Sequence, residues 1–315
     1  MRRIVLDTDL AMGAPGSDVD DGFALALALA DPELSVELVT TVNGNTDVDT
    51  ATSLSRNLLR RLGRAEVAVR RGAGAPLLAE RHIRVPDGAR PPRTAAPDEP
   101  HAAVEIVERV MAEPGRLTLV AIGPLTNVAL ALLLEPRVAA AVEEVVVMGG
   151  VFLGQTGVAA MPGEFNFWTD PHAVAVVLAS GAPLSFVGLD VTRRVRLTRE
   201  HAVRMASGGG AFGEIAGEAT QHWIDHQERT MPGDVVEHGS CALHDPLAVA
   251  VVTRPDLVTW RDARVAVETG SETTAGVVVT DLLHAEQPPQ ANCRIAVDVD
   301  VEAFTDLFME RVSRL

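Results

Sequence analysis

The chain has 315 residues, of which 47% are hydrophobic and 22% charged, a composition that is ordinary for a folded globular protein and argues against extensive disorder. Its 43 acidic residues outnumber its 27 basic ones and give a net charge of −16, which argues against a nucleic-acid polymer or an anionic membrane as partner. The sequence contains no Lys, which excludes a Gly-Lys-Ser/Thr phosphate loop, Schiff-base catalysis and pyridoxal-phosphate chemistry.

Strand-like and helix-like runs alternate along the first 190 residues. Short apolar runs predict strands at residues 4–6, 36–42, 65–70, 117–122, 144–148 and 184–189. Helical patterns occur at residues 23–30, 50–62, 102–111, 126–134 and 173–180. This alternation predicts an α/β fold with an open, mostly parallel sheet and helices on both faces.

The last third of the chain is predicted to be more helical to about residue 250 and then to return to strands. Its strand-like runs lie at residues 263–267, 276–280 and 293–299. There is neither an internal repeat nor a low-complexity linker, so we expect a single domain over residues 1–315. Residues 84–100 are polar and rich in Pro, which predicts a long loop of the kind that is often functional in compact enzymes.

Small or acidic residues follow several of the predicted strands. Asp7 and Asp9 follow the first strand, Asn45 follows the second, and Gly123 and Asp190 follow two later ones. Ligands of open α/β sheets bind outside the carboxyl ends of the strands. We therefore expect these strand ends to meet at one pocket.

Five carboxylates lie within fifteen residues near the N-terminus, at Asp7, Asp9, Asp18, Asp20 and Asp21. Carboxylates so close together repel one another unless a cation joins them, and hard oxygen ligands of this kind suit Ca²⁺ or Mg²⁺. The alternative is a solvated acidic loop in which Asp18 caps the following helix. Composition alone leaves both interpretations open.

Two more short motifs combine residues with useful chemistry. His244 and Asp245 precede a Pro and a helical run, and they could supply a proton donor and a metal carboxylate from neighbouring positions. A buried His that is hydrogen-bonded for structural reasons is the more common arrangement. The Glu-Phe-Asn motif places Glu164 and Asn166 two residues apart, so both side chains could point into one site.

Taken in order, these motifs resemble the inosine-uridine-preferring nucleoside hydrolase family. The matching segments are Asp7-Thr8-Asp9 with Asp20-Asp21, Thr40 to Asn45, Gly123 to Asn127, Met148 to Gly150, Glu164 to Asn166 with Asp170-Pro171, and His244 to Pro246. Any one of them would be weak evidence, whereas six in the same order are strong.

The resemblance implies a Rossmann-like nucleoside hydrolase fold and Ca²⁺-dependent hydrolysis of the N-glycosidic bond of ribonucleosides to free base and ribose. It implies that Ca²⁺ is bound by Asp9, Asp21, Asp245 and the backbone carbonyl of Ile122. The implied substrate ligands are Asp20, Asn45, Met148, Glu164 and Asn166. Asp9 is the implied general base for a Ca²⁺-bound water, and His244, with a pKa expected at about 6–7, is the implied proton donor to the leaving base.

The sequence departs from the family pattern in two places. Asp9 and Asp20 are eleven residues apart, where the family usually has four, so the insert at residues 11–19 is expected to reshape the pocket mouth or to add a ligand. The family's Gly-Asn before the Glu-Phe-Asn motif appears here as Gly154-Gln155, with two extra residues before Glu164. The contact from this loop to the 5′-hydroxyl is therefore left open.

Two other functions are kept as alternatives. A strand that ends in Asp-x-Asp is also typical of haloacid-dehalogenase-type phosphatases, although that class normally uses a later Lys to hold the phosphate. The second alternative is a non-catalytic relative that binds a nucleoside or Ca²⁺, against which the presence of both Asp9 and His244 argues.

Cellular location and assembly are indicated only indirectly. Cys241 and Cys293 are too few for a disulfide framework, no signal-peptide core precedes Asp7, and no apolar run approaches the 18 residues of a membrane helix, so we expect a cytoplasmic protein. The resemblance implies a homo-oligomer, a dimer or tetramer, that acts on a small nucleoside. The preferred base is not indicated, although its contacts are expected from residues 84–100, the helix around Trp223, and His82.

Overall fold

The strands of this protein form where runs of Val, Ile and Leu occur, and they build one large sheet. The computed structural model describes residues 1–14, 16–78, 99–208, 210–230, 237–281, 289–313 and 315. The strands are β1 Arg2–Thr8, β2 Leu34–Thr41, β3 Ala68–Arg71, β4 Leu117–Ala121, β5 Glu144–Met148, β6 Leu184–Val187, β7 Arg196–Thr198, β8 Ser240–Ala242, β9 Val258–Val267, β10 Val278–Asp281 and β11 Cys293–Val299.

Helices connect most of these strands. They are α1 Asp20–Ala30, α2 Val48–Arg61, α3 Ala102–Ala112, α4 Thr126–Leu134, α5 Val138–Ala141, α6 Phe165–Thr169, α7 Pro171–Ala179, α8 Leu189–Thr192, α9 Arg199–Ser207, α10 Ala211–Thr230, α11 His244–Thr253 and α12 Val301–Val312. No helix among the described residues combines the length and the apolar character needed to cross a membrane.

In the described part of the chain, the large sheet has nine strands in the order β10-β9-β11-β6-β5-β4-β1-β2-β3. Neighbours from β11 to β3 run parallel, whereas β9 is antiparallel to both β10 and β11. The strands β7 and β8 form a separate antiparallel pair. The predicted open, mostly parallel sheet is therefore confirmed.

Side chains of β1 alternate between two apolar layers, one on each face of the sheet. Ile4 and Leu6 belong to one buried cluster, and Val5 belongs to the other, as the two-residue period of a strand requires. On the first face Phe23 packs edge-on against Phe212, with ring centroids 5.6 Å apart. In each layer, apolar side chains of the sheet pack against apolar side chains of the helices on that face. This confirms the prediction that helices cover both faces of the sheet.

The order of the strands reverses at β1, and this reversal positions the site. The chain runs from β1 outward through β2 and β3 and then returns to build β4, β5 and β6 on the other side. In open α/β sheets a crevice forms at the carboxyl ends of the strands where the order reverses. Asp9 follows β1 at this point, while Asn45 follows β2 and Ile122 follows β4.

Element boundaries differ from the sequence predictions where polar or short segments are involved. The first helix begins at Asp20 rather than at residue 23, because two acidic residues occupy its first turn. The strand predicted at residues 263–267 extends over the whole of β9. The three-residue strands β7 and β8 were not predicted, since so short a segment carries no readable periodicity. Of the predicted loop at residues 84–100, residues 84–98 lie outside the described part, as does His82.

Candidate active site

Two glycines allow the backbone to approach Asp9 at the strand-order reversal. A Cβ added to Gly44 would lie 2.0 Å from Asp9 Oδ2, and one added to Gly123 would lie 2.9 Å from Asp9 Oδ1. Side chains at these positions would therefore collide with the carboxylate. The loops after β2 and β4 can pack directly against the Asp9 carboxylate because Gly44 and Gly123 have no side chains.

Only one of the two carboxylate oxygens of the buried Asp9 accepts a hydrogen bond from the described residues. The backbone N–H of Asn45 donates to Asp9 Oδ2 at 2.6 Å, whereas Oδ1 is buried and has no hydrogen-bond partner among the described residues. Burial, followed by the charge of Asp21, raises the pKa of Asp9 well above its ordinary value. Such a carboxylate is a stronger base than one in water, and it has an oxygen available for a ligand.

Asp20, Asp21 and Asp245 form a compact buried cluster. One oxygen from each carboxylate lies within 4.8 Å of the others. Asp20 and Asp21 are the first residues of α1 and Asp245 is the second residue of α11, and these helices pack against each other. The N-terminal ends of two helices therefore deliver the acids to one point, where the helix dipoles favour negative charge.

Hydrogen bonds orient this cluster. The Thr8 hydroxyl donates to Asp21 Oδ1, and Asn45 Nδ2 donates to Asp21 Oδ2 at 3.1 Å. The backbone N–H of Asp245 lies 3.4 Å from Asp20 Oδ2. Burial raises the pKa of Asp21 to about 6, and burial and neighbouring carboxylates raise the pKa values of Asp20 and Asp245 as well.

The cluster differs in membership from the set implied by the sequence. The implied ligands were Asp9, Asp21, Asp245 and the Ile122 carbonyl, whereas the structure brings Asp20 together with Asp21 and Asp245. Asp9 is close enough for its charge to raise the pKa of Asp245. The Ile122 carbonyl oxygen accepts a hydrogen bond from Asn166 Nδ2 at 3.0 Å. A divalent cation would therefore find a buried set of carboxylate and carbonyl oxygens here.

Glu164 and Asn166 lie at the start of α6, and hydrogen bonds connect them to Gly150 and Met148 at the end of β5. Glu164 caps α6, and its carboxylate accepts hydrogen bonds from the backbone N–H groups of Asn166, Phe167 and Gly150 at 2.9–3.2 Å. Asn166 Nδ2 also lies 3.3 Å from the carbonyl oxygen of Met148. These bonds fix both side chains before any substrate arrives. Burial raises the pKa of Glu164 above its ordinary value.

His244 is the first residue of α11 and is partly buried, within electrostatic reach of two arginines. Its Nδ1 lies 2.8 Å from the Thr192 hydroxyl oxygen. Burial, assisted by the positive charges of Arg193 and Arg196, lowers the pKa of His244 to about 3. This differs from the value of about 6–7 expected from the sequence, because the sequence did not indicate the two nearby guanidinium groups. His244 is therefore neutral at pH 7 in the ligand-free protein.

A cavity of about 550 Å³ opens above these residues. Its wall includes the sequence-predicted Asp20, Asn45, Ile122, Met148, Glu164, Asn166, His244 and Asp245. It also includes Asp18 and Trp223, which the sequence analysis considered for the cation and for the base, and eight residues that it did not consider, namely Met161, Phe165, Leu189, Arg193, Arg196, Gln227, Glu237 and Ala242. Asp9 and Asp21 lie buried close to the lining residues Asp20 and Asp245.

Comparison with known proteins identifies the family of this chain. Residues 4–306 match the model of the family described as inosine-uridine preferring nucleoside hydrolase. The chain belongs to this family. It is an enzyme of the nucleoside N-ribohydrolase class, and the resemblance stated from its motifs is confirmed. The haloacid-dehalogenase alternative is set aside, because the nucleoside hydrolase match spans nearly the whole chain.

Individual nucleoside hydrolases match along their full length. The chain is 35% identical over 322 residues to the pyrimidine-specific ribonucleoside hydrolase RihA of Klebsiella pneumoniae, covering 98% of each protein. Among solved structures, the purine-preferring ribonucleoside hydrolase from Gardnerella vaginalis has a TM-score of 0.86 and 28% identity, and 99% of this chain and 98% of that one are covered. A plant nucleoside hydrolase has a TM-score of 0.85 and 26% identity, with coverage of 100% and 99%.

Within this nucleoside hydrolase, the insert at residues 11–19 contributes to the pocket. Asp18 lines the cavity, and its Oδ1 accepts a hydrogen bond from the backbone N–H of Val19 at 2.6 Å. Gly16 lies against α10, since a Cβ there would be 2.8 Å from Cε1 of His226. The His226 ring stacks on Trp223, with ring centroids 5.5 Å apart. The insert thus reaches the helix that forms the opposite wall.

Several of the residues missed by the sequence analysis share one property. Arg193 and Arg196 follow α8, and Gln227 and Trp223 lie on α10, so all of them come from segments that carry no family motif. Trp223 alone was noted as a possible contact to the base, from its position on a helical stretch. The others could be assigned only after the tertiary structure had brought their helices to the cavity.

Proposed function

We propose that this enzyme hydrolyses the N-glycosidic bond of ribonucleosides and requires Ca²⁺ to do so. The observation that carries the proposal is the buried cluster of Asp20, Asp21 and Asp245, which borders the same cavity as His244 and Glu164. Buried carboxylates without a cation are costly. At this edge of the sheet, a divalent ion would bind to carboxylate oxygens, and a sugar diol would bind to the ion and to hydrogen-bonding side chains.

The donor set fits Ca²⁺. Asp9, Asp21, Asp245 and the Ile122 carbonyl would hold the ion. Asp21 and Asp245 belong to the cluster with Asp20, and Asp9 lies close enough for its charge to raise the pKa of Asp245. All are hard oxygen donors, and the carboxylates have raised pKa values because they are buried near one another, so a divalent cation would favour their charged forms. When bound, the ion orients the sugar diol and makes a nearby water more acidic.

Asp9 is the group that accepts a proton from the attacking water. Its Oδ1 is buried and has no partner in the described part of the chain, while Oδ2 is fixed by the Asn45 N–H. Burial makes the carboxylate more basic than in water. The orientation of the carboxylate is set by the loops at Gly44 and Gly123, so it needs no rearrangement in the transition state.

The ribose lies among residues that are already oriented. Asp20, Asn45, Glu164 and Asn166 bind its hydroxyl groups, and Met148 contacts its carbon skeleton. Cleavage of an N-glycosidic bond passes through an oxocarbenium-like state in which positive charge grows on the sugar. The surrounding carboxylates stabilise that charge, and the fixed hydrogen bonds of Glu164 limit the cost of reorganisation.

His244 assists the departure of the base. If the Thr192 hydroxyl donates to Nδ1, the proton of the neutral imidazole stands on Nε2 and is available to a base nitrogen. Departure of the base as an anion is unfavourable, so protonation of this nitrogen accelerates the step. Because the pKa of His244 is lowered, the ring must acquire any additional proton with substrate bound.

The proposal is tested by release of base from a panel of inosine, uridine, adenosine, cytidine and guanosine. We expect hydrolysis that is lost with chelator, restored by Ca²⁺ and lowered at least 100-fold in Asp9→Asn. The exposed Asp256, which pairs with Arg254 on the surface, supplies the matched control Asp256→Asn, which should retain wild-type activity. Hydrolysis that is unaffected by chelator would contradict the Ca²⁺ requirement.

The same panel determines which base is preferred. The named relatives differ in this respect, since one is pyrimidine-specific and another is purine-preferring.

Three other expectations remain predictions. We propose a homo-oligomer, dimer or tetramer, that acts in the cytoplasm and folds as one domain over residues 1–315. Light scattering after gel filtration measures the assembly directly. A mass equal to one chain would contradict the oligomer.

A further inference from the structure

Thr192 contacts the ring of His244 from the last position of α8. Its hydroxyl oxygen lies 2.8 Å from His244 Nδ1, and the residue is fully buried. His244 itself lies in the cavity wall, and its Nε2 has no hydrogen-bond partner among the described residues. The contact with Thr192 therefore occupies one ring nitrogen and leaves the other available to a ligand.

Backbone pairing brings these two residues together independently of their side chains. The N–H of Leu243 donates to the carbonyl oxygen of Val195 at 2.9 Å. The strands β7 and β8, which pair from Arg196 to Thr198, continue this pairing. The main chain thus holds the end of α8 beside the start of α11, so we expect the fold to persist when the hydroxyl of Thr192 is removed.

The hydrogen bond between the two side chains can be made in two ways. The Thr192 hydroxyl either donates to an unprotonated Nδ1 or accepts from a protonated one. In the second case the hydroxyl proton needs another acceptor, and the described residues offer this hydroxyl no partner besides His244. A buried donor without an acceptor is unfavourable. The first arrangement satisfies both groups, and it places the proton of the neutral ring on Nε2.

We propose that Thr192 is a positioning residue that keeps the proton of the neutral His244 ring on Nε2, where the ring can donate to the leaving base. This inference rests on the proposed function, in which the base departs beside His244. The other neutral tautomer would present a lone pair at Nε2 to a base nitrogen that is gaining an electron pair. A donor that is already oriented toward this developing charge lowers the barrier to bond cleavage.

The reaction remains the hydrolysis of the N-glycosidic bond. The bond between C1′ and the base nitrogen breaks, its electron pair goes to that nitrogen, and the oxygen of water bonds to C1′. The proton on Nε2 moves toward the nitrogen as it becomes negative. The proton that the water loses to Asp9 restores the balance when the products leave, so no further reactant is needed.

The tautomer can be measured in wild type without any substitution of Thr192. Long-range proton–nitrogen NMR spectra of the Ca²⁺-loaded enzyme with ¹⁵N-labelled His, recorded at pH 8, distinguish protonated from unprotonated ring nitrogens. The signals of His244 are assigned by comparison with His244→Asn. We expect Nδ1 to be unprotonated and Nε2 to be protonated. The opposite result would overturn the proposal, whatever the activity of any variant.

Kinetics test the role of the hydroxyl at the leaving base. The substrates are the nucleoside that is hydrolysed fastest and p-nitrophenyl β-D-ribofuranoside, whose leaving group is a stable anion that needs no proton. In Thr192→Val we expect kcat for the nucleoside to fall at least tenfold with KM within threefold of wild type. We expect kcat for the nitrophenyl riboside to change less than twofold. Thr192→Ser restores a hydroxyl and should retain at least a third of wild-type kcat on both substrates.

Thr220 provides the matched control. It is as buried as Thr192, its hydroxyl donates to the Ala216 carbonyl at 2.6 Å, and it is not among the described residues that line the cavity. Thr220→Val therefore also removes a buried hydroxyl, and it should leave kcat for both substrates within twofold of wild type.

The outcomes separate this inference from the proposed function. An equal fall of kcat on both substrates in Thr192→Val would overturn the inference, since the hydroxyl would then act on the fold or on the sugar rather than on the base. An unchanged kcat for the nucleoside would overturn it as well. Both results leave the proposed function intact. Failure of wild type to hydrolyse any nucleoside in Ca²⁺ would overturn the proposed function and the role at the leaving base together.

Discussion

At the scale of single residues, the site consists of ionisable groups whose pKa values have been moved by burial. The carboxylates of Asp9, Asp20, Asp21 and Asp245 have raised pKa values because they are buried near one another. His244 has a lowered pKa because its surroundings desolvate the ring and because Arg193 and Arg196 are positively charged. Both shifts disfavour the charged forms of these groups, and a bound cation would reverse the shift of the acids while lowering the pKa of His244 further.

Cation binding should release protons. The pKa of Asp21 is raised to about 6, so its carboxyl group is partly protonated at pH 6 and must lose its proton when Ca²⁺ binds. We expect Ca²⁺ affinity to increase at least tenfold between pH 5.5 and 7.5. Calorimetry in buffers of different ionisation enthalpy measures the released protons. Binding with equal affinity at both pH values and no proton release would contradict the assignment of these acids as ligands.

The charge of His244 should not change near neutral pH. Since its pKa is lowered to about 3, the imidazole is neutral from pH 5 to 8 in the ligand-free enzyme. Imidazole NMR signals, assigned by comparison with His244→Asn, should show no titration in this range. A midpoint near the ordinary value of 6.5 would show that the nearby arginines do not act on this ring as the structure implies.

At the scale of elements, the ends of the strands lie close together because glycines leave room between them and because the side-chain amide of Asn127 bonds to several of them. Gly44 is the clearest case, because a Cβ there would lie 2.0 Å from Asp9 Oδ2 and 2.9 Å from Pro124 Cδ. In Gly44→Ala the turn after β2 must shift and displace Asp9, so we expect at least a 100-fold loss of kcat and a destabilisation of about 1–3 kcal/mol. Gly154→Ala is the control, as its added Cβ meets nothing within 4 Å. Wild-type kcat in Gly44→Ala would contradict the role given to Asp9.

Asn127 joins the ends of three strands from the second residue of α4. Its Nδ2 donates to Asp7 Oδ1 at 2.8 Å and to the Thr41 carbonyl at 3.0 Å, and its Oδ1 accepts from the Ala73 N–H at 2.8 Å. In Asn127→Ala these buried groups lose their partner, so we expect a destabilisation of about 2–4 kcal/mol. Urea unfolding measures it, with the exposed Asn57→Ala as control. Equal stability of the two variants would contradict this assignment.

The sequence predicted elements better than it predicted the pocket wall. Strand ends such as Asp9 and Asn45 could be assigned because periodicity identifies buried strands and topology then brings their ends together. Arg193 and Gln227 could not, since their helices are brought to the cavity only by tertiary packing. The pKa of His244 was mispredicted for the same reason, because its cause lies in side chains that no local pattern connects with it.

At the scale of the whole molecule, the buried aspartates at the carboxyl ends of the strands make the free energy of unfolding depend on pH and on cations. The pKa of Asp7 is raised from 3.8 to about 7, so between these values the folded state binds a proton that the unfolded state has released. Stability of the ion-free enzyme should therefore fall as pH rises from about 4 to about 7, by ~1.4 kcal/mol for each pH unit through this group. Urea unfolding in chelator measures this slope, which Asp7→Asn should reduce. Stability that rises over this range would contradict the burial of protonated carboxyl groups.

The central claim is that one buried cluster both holds the cation and makes hydrolysis possible. The most direct measurement is Ca²⁺ binding and nucleoside hydrolysis on the same preparations of wild type and Asp21→Asn, with Asp256→Asn as control. The account predicts that Asp21→Asn loses Ca²⁺ affinity and kcat together, each at least 100-fold, while the control retains both. Full hydrolysis by an Asp21→Asn enzyme that no longer binds Ca²⁺ would contradict it.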